Sequence, residues 1–345
     1  RGIRSLWVFS SLYPLDRITM LNYIIRRLLY AVPIIIGVNV LTAVLFFYVN
    51  TPEDMARKIL GDKNVTPEAI ENWKVDHGYN LPAFINTDEG GVRTITQTIF
   101  YQKSVPLLWL DFGRSDRNNI DISGEISTRM WPSLAISLPM FMAGIVINLF
   151  LAMLLAYYRA TYIDIWGVVI AVALMSVSTL FYIIGGQFIL GKVLKLFPIS
   201  GYDTGLDSLK FLVLPVIIGI AASIGSGVRF YRTVFLEEIN KDYIRTARAK
   251  GLTEGSVLFK HAMKNAMIPV LTNVVVSIPF LFYGSLILET FFAIPGLGNF
   301  TIDAIQSQDF AIVRSMVYLG SILYIAGLIL TDISYTLVDP RVRFE

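Results

Sequence analysis

Residues 133–157 read Ser-Leu-Ala-Ile-Ser-Leu-Pro-Met-Phe-Met-Ala-Gly-Ile-Val-Ile-Asn-Leu-Phe-Leu-Ala-Met-Leu-Leu-Ala-Tyr, without one charged side chain. A helix rises about 1.5 Å per residue, so roughly 20 apolar residues cross the hydrocarbon core of a bilayer. Five further runs have this length and character: 28–49, 165–190, 211–228, 268–288 and 312–331. A buried helix of a soluble protein can imitate one such run; six together point to an all-α membrane protein with six transmembrane helices. The whole composition agrees, with 54% hydrophobic residues, 16% charged and a mean hydropathy of +0.60. Soluble chains carry about 25% charged residues, so an ordinary soluble enzyme and a disordered chain are both disfavoured. A net charge of +3 offers no basic field for nucleic acid. Cysteine is absent, which removes disulfides, thiolate metal sites and cysteine nucleophiles. His77 and His261 are far apart in the chain, so no metal centre is expected.

Lysine and arginine set the orientation. Arg1, Arg4, Arg17, Arg26 and Arg27 precede the first span, seven lysines and arginines lie in 231–267, and Arg341 and Arg343 end the chain. Residues 290–311 carry neither type. The expected arrangement is a cytoplasmic N-terminal extension and flank at 1–27, a first span at 28–49 and an extracytoplasmic segment at 50–132. A permease domain follows at 133–338, with a cytoplasmic segment at 231–267, and residues 339–345 form a cytoplasmic C-terminus. In the external segment, Thr66 and Pro67 mark a helix start, with a short amphipathic helix over 68–74 and a turn at 87–91. Met20 resembles a natural start before span one; residues 1–19 read as an apolar, interface-seeking extension or as an added segment.

The spans hold no ionisable side chain in their central portions; Glu289 and Asp332 stand at ends. Ion-coupled carriers usually need such groups, so a secondary transporter is the weaker reading. A membrane-embedded enzyme lacks an evident catalytic cluster, and a purely structural membrane protein is a third alternative. Gly219, Ala221, Ala222, Ser223, Gly225, Ser226 and Gly227 form a small-residue face on span four. Helix packing is its first reading, and a pathway or subunit surface its second. Residues 186–192, Gly-Gln-Phe-Ile-Leu-Gly-Lys, imitate a phosphate-binding loop. Val193 stands where a magnesium-binding hydroxyl is required, and the segment closes an apolar helix, so the match is rejected.

The segment 240–267 is the most informative. Asp242 can cap a short helix through Lys250, Gly251 suits a left-handed position after it, and Thr253 can cap a second helix through Ala266. Tyr243-Ile244-Arg245-Thr246-Ala247-Arg248-Ala249-Lys250-Gly251-Leu252, followed by His261-Ala262-Met263-Lys264-Asn265-Ala266-Met267-Ile268-Pro269, resembles the cytoplasmic signature of ABC importer permeases of the peptide/nickel branch. Asp111-Phe112-Gly113-Arg114-Ser115, Phe197-Pro198-Ile199-Ser200-Gly201-Tyr202, Asp339-Pro340-Arg341 and the stretch from Glu289 to Gly298 are similar to that branch's motifs in the same order, from Met20 onward. The general signature begins Glu-Ala-Ala; here those positions are Arg245, Thr246 and Ala247, so no acidic anchor carries over.

The resemblance implies an ABC importer type I permease-like fold and a non-catalytic subunit in a bacterial inner membrane. It implies import of di- or oligopeptides, with nickel or another small solute as the alternative. It also implies a second homologous permease subunit, two cytoplasmic ATPases that hold ATP and Mg2+, and an extracytoplasmic peptide-binding protein; no cofactor is expected in this chain. ATPase coupling then falls to Asp242, Tyr243, Arg245, Thr246, Ala247, Arg248, Lys250, Gly251 and Leu252. Tyr243, Thr246, Ala247 and Leu252 are the expected docking contacts, and the basic residues are possible partners for ATPase carboxylates.

Overall fold

The computed structural model describes residues 15–61, 65–203 and 205–338. The expectations for residues 1–14 and for Asp339-Pro340-Arg341 lie outside the described residues. Regular structure among those described is helical, with five apolar helices long enough to cross a membrane and a bent pair that counts as a sixth, here span three, when its two halves are taken as one.

Span one, Ile24–Val49, belongs to a helix that already includes Leu15 and Met20. Span two, Ile122–Tyr157, begins well before Ser133. Asp121 caps it by accepting the Gly124 N–H at 2.8 Å, and neither Pro132 nor Pro139 breaks it. At about 1.5 Å per residue, its 36 residues exceed a bilayer core of about 30 Å, so it projects beyond the membrane.

Span three corrects the expected single run at 165–190. It consists of Tyr162–Ser176 and Thr179–Val193, bent by 88°. Val177 and Ser178 are extended at the break. The Ser176 hydroxyl donates to the Val172 carbonyl at 2.8 Å, and the Tyr182 hydroxyl donates to Leu174 at 2.7 Å. Leu174 O also accepts the Val177 N–H at 3.3 Å, so the two hydroxyls add to backbone bonds at the helix end rather than replace them. The rejected phosphate-loop match, 186–192, is helical throughout.

Span four is one helix, Leu209–Ile239, that continues past Val228. Its glycines pack closely: a Cβ on Gly225 would sit 2.6 Å from the Ala171 carbonyl oxygen of span three. Span five, Glu254–Tyr283, absorbs the second short helix expected at 253–266 and ends at Gly284, before the expected Leu288. Gly284 has φ +77°, and a Cβ there would collide with Glu289 and Ser133, so glycine is required twice over. The chain then folds back through Leu286–Phe292 and Leu297–Gln306 before span six, Phe310–Ser334.

Glu289 organises that return. It is buried, and its carboxylate accepts N–H groups from Ser285 at 3.0 Å, Gly298 at 2.7 Å and Asn299 at 3.1 Å. The last two belong to the first turn of Leu297–Gln306, whose open N–H groups favour an anion. Leu297 N–H donates to Ser133 Oγ at 2.8 Å and ties the return to span two.

The described residues between spans one and two fold as a cap on span one. Thr51 and Asp54 form a reciprocal capping box at the start of Pro52–Leu60, and Thr66 caps Pro67–Asp76 as expected. Met55, Ile70, Trp73, Tyr79 and Ile99 pack on Ala43 and Phe47 of span one. Polar contacts reach the start of span six: Tyr79 donates to both Asp116 oxygens at 3.0 Å, and Asp116 accepts the Ala311 N–H at 3.1 Å. Ser115 donates its hydroxyl to Asp309.

Candidate functional site

The short helix expected after span four is Asp242–Ala249. Lys241, not Asp242, occupies the N-cap; Asp242 is the first helical residue, where an acidic side chain suits the helix dipole. Lys250 closes the helix, and Gly251 follows with φ +78°, the left-handed conformation that glycine adopts without strain. Gly251 N–H donates to Arg248 O at 2.9 Å and satisfies a terminal carbonyl.

One face of this helix is committed to its own chain. Ile244 is fully buried and Ala247 is 6% exposed, in a core shared with Ala152 and Ala156 of span two, Phe235 of span four and Leu258 of span five. Residues three apart on a helix share a face, so these two positions act as one apolar foot. Ala247 therefore points away from the side expected to dock. Asp242, Arg245, Thr246, Ala249, Lys250 and Leu252 are exposed.

Polar clasps fix the angle of the helix. Glu238, buried at the end of span four, accepts the Tyr243 hydroxyl at 2.5 Å and pairs with Lys241. Burial first, and then the Glu238 carboxylate, push the Tyr243 phenol up to about 12, so it stays a donor at neutral pH. Arg248 forks onto Glu254 at 2.9 and 3.3 Å and closes the turn across Gly251. Arg232, nearly two turns before Glu238 on span four, grips Asp164 of span three at 2.7 and 2.8 Å. The result is a lever whose foot sits in spans two, four and five and whose outer face is polar. Sequence reasoning singled out the lever but not Glu238, Glu254 or Asp164. Their signal was acidic residues spaced for the basic ones, visible for Glu238 and Lys241 and invisible for Asp164 and Arg232.

A second feature lies among spans two, four and five. A cavity of about 420 Å³ is lined by Ser137, Gly144, Asn148, Ser223, Ser226 and Asn273, with apolar neighbours including Met140 and Phe141. On the small face of span four, Gly225 packs against span three, as the packing reading expects, whereas Ser223, Ser226 and Gly227 line the cavity.

Apolar helices long enough to span a membrane, a short capped helix packed on three of them and a cavity between helices suit a transport permease. The chain belongs to the family described as the binding-protein-dependent transport system inner membrane component, whose profile matches residues 9–344 and so reaches further toward the N-terminus than Met20. It is a permease subunit of an ABC importer. The family implies a substrate-binding protein and ATPase partners and places the chain in an inner membrane. A relative from Brucella abortus (strain 2308), provisionally named a peptide transport system permease protein, is 33% identical over 331 residues, covering 94% of this chain and all of that protein. The glutathione transport system permease protein GsiC of Salmonella typhimurium is 30% identical over 331 residues, again covering 94% of this chain and all of the relative.

Proposed function

We propose that this permease imports short peptides, and that Asp242–Ala249 transmits the ATPase cycle to its membrane helices. The observation that carries the reading is the lever itself. Its apolar foot reaches spans two, four and five, so displacement of the helix must displace all three. Arg245, Thr246, Lys250 and Leu252 supply its outer contact, with Asp242 at its start. Tyr243, Arg248 and Gly251 hold its angle, and Ala247 anchors it.

In this reading the chain performs no catalysis. Two cytoplasmic ATPases hold ATP and Mg2+, a second homologous permease completes the pathway, and an external binding protein delivers substrate. Both termini face the cytoplasm. The substrate class draws support from the names of the relatives and from a cavity whose polar lining residues are uncharged. A nickel or other small-solute importer is the second reading, and it fits the same lever.

The test is ATP-dependent uptake by proteoliposomes that contain the complete complex and its binding protein. Uptake of trialanine or glutathione is expected. Uptake of nickel with neither peptide would replace the first reading by the second.

A further inference from the structure

One hydrogen bond ties the segment between spans one and two to a level within the spans. Asn39 of span one is buried and donates from Nδ2 to the Ser104 carbonyl at 2.8 Å. That level can be measured along two helices. Arg27 of span one pairs with Asp332 of span six at 3.1 Å, and such charges belong at or outside the edge of the hydrocarbon. Asn39 lies about 18 Å further along span one, at about 1.5 Å per residue. Tyr318, which shares a core with Val38, lies about 21 Å from Asp332 along span six. A hydrocarbon core about 30 Å thick therefore extends about 10 Å beyond both. Setting the ion pair further out, or tilting the spans, only sinks the Ser104 carbonyl deeper.

From Ser104 the chain enters the tight turn Pro106–Trp109, which rises about 2.0 Å per residue. Trp109 is thus within about 10 Å of the Ser104 level, at or below the edge of the hydrocarbon whichever way the turn points. Irregular backbone is tolerated at such depth where protein buries it. Ser104 and Leu107 meet that condition, with Leu107 packed among Ile122, Ile126 and Phe300. The tip of the turn does the opposite: Trp109 is 81% exposed and Leu110 54%. Leu110 also holds φ +62°, a conformation that glycine adopts without strain, yet a leucine occupies it and turns outward.

We propose that residues 106–110 are a lipid anchor, with Trp109 and Leu110 seated in the leaflet on the side of the cap, where acyl chains meet headgroups. Tryptophan suits that boundary, because its ring is apolar and its indole N–H still reaches a polar partner. Asp111 and Arg114 follow at once, both exposed, and return the chain to water. A soluble binding protein does not reach the depth set by Asn39, so lipid is the occupant. In this role the anchor holds the cap, and span one through Asn39, at a set height in the bilayer.

The chain has no cysteine, so Trp109→Cys and Leu110→Cys each carry a single spin label in this subunit. The test is made on the complete permease–ATPase complex in liposomes, and the complex without the substitution sets the background from the other subunits. It reads the ratio of collisions with oxygen, which concentrates among acyl chains, to collisions with a water-soluble nickel chelate. Val92→Cys, at a position of the cap that is 78% exposed, is the aqueous reference. Hydrocarbon excludes a polar chelate, so the ratio at 109 and 110 should exceed that at 92 about tenfold. A ratio equal to that at 92 would put the tip in water and overturn the anchor. Few collisions with either reagent would show that another subunit covers the tip, and would overturn it too. A second measurement needs no thiol. Phospholipid brominated on its acyl chains should remove more tryptophan fluorescence from the unmodified complex than from Trp109→Phe. Equal loss would overturn the anchor even where the cysteine variants fail to assemble.

Discussion

Glu289→Ala removes the carboxylate that meets the N–H groups of Ser285, Gly298 and Asn299. A buried donor left unmet costs about 1–3 kcal/mol, so the loss should amount to several kcal/mol and appear as a much lower melting temperature in detergent. Glu289→Gln keeps one acceptor oxygen and should lose less. Equal melting of all three proteins would show that the carboxylate is not what holds the return after span five. Asp116 supplies a pH-dependent counterpart outside the membrane. Burial raises its pKa, against a lowering effect of Arg314. The native state thus binds the proton more readily than the unfolded chain. Stability should rise as pH falls through the raised pKa toward the ordinary carboxylate value, and decline as pH rises again. The difference in melting temperature between the wild type and Asp116→Asn should carry that slope; a slope of opposite sign would contradict the burial of the carboxyl.

At the scale of elements, Gly251 joins the lever to span five. Gly251→Val imposes a β-branched side chain on φ +78°, although open space surrounds the position. The strain should change the turn rather than the apolar foot. Copurified ATPase should persist while solute transported per ATP hydrolysed falls; a normal ratio would show that the angle of the lever does not matter. Ala247→Arg should act differently, by placing an unpaired charge inside the core and depleting folded protein. The lever was legible because its signals are local: a glycine after a short amphipathic turn, and a threonine at the next cap. Six apolar runs were legible for the same reason. The bend in span three was not, since Ser176, Val177 and Ser178 include neither proline nor glycine. The re-entry after Gly284 was hidden because Leu286, Ile287 and Leu288 extend the apolar run that a bilayer criterion counts. The inward turn of Ala247 depends on residues from three spans, distant in sequence, that local periodicity does not bring together.

For the whole molecule, we propose from the charge asymmetry that Lys260, near the start of the span-five helix, faces the cytoplasm and Asp303 the outside. In cells with an opened outer barrier, an impermeant thiol reagent should label Asp303→Cys and spare Lys260→Cys. The reverse pattern would invert the topology and place the lever on the wrong side for an ATPase. The central claim is that this lever receives the force of ATP hydrolysis. Thr246→Arg tests it most directly, because Thr246 is exposed on the outer face and its side chain is not part of the apolar foot. An added charge buried without a partner at a close interface costs several kcal/mol, and each 1.4 kcal/mol is tenfold in affinity. The measurement is the amount of ATPase that copurifies with the full-length permease. The account predicts at least a tenfold loss in Thr246→Arg, with permease yield unchanged and no loss in the external control Asp303→Arg. Full retention of the ATPase by Thr246→Arg would contradict it.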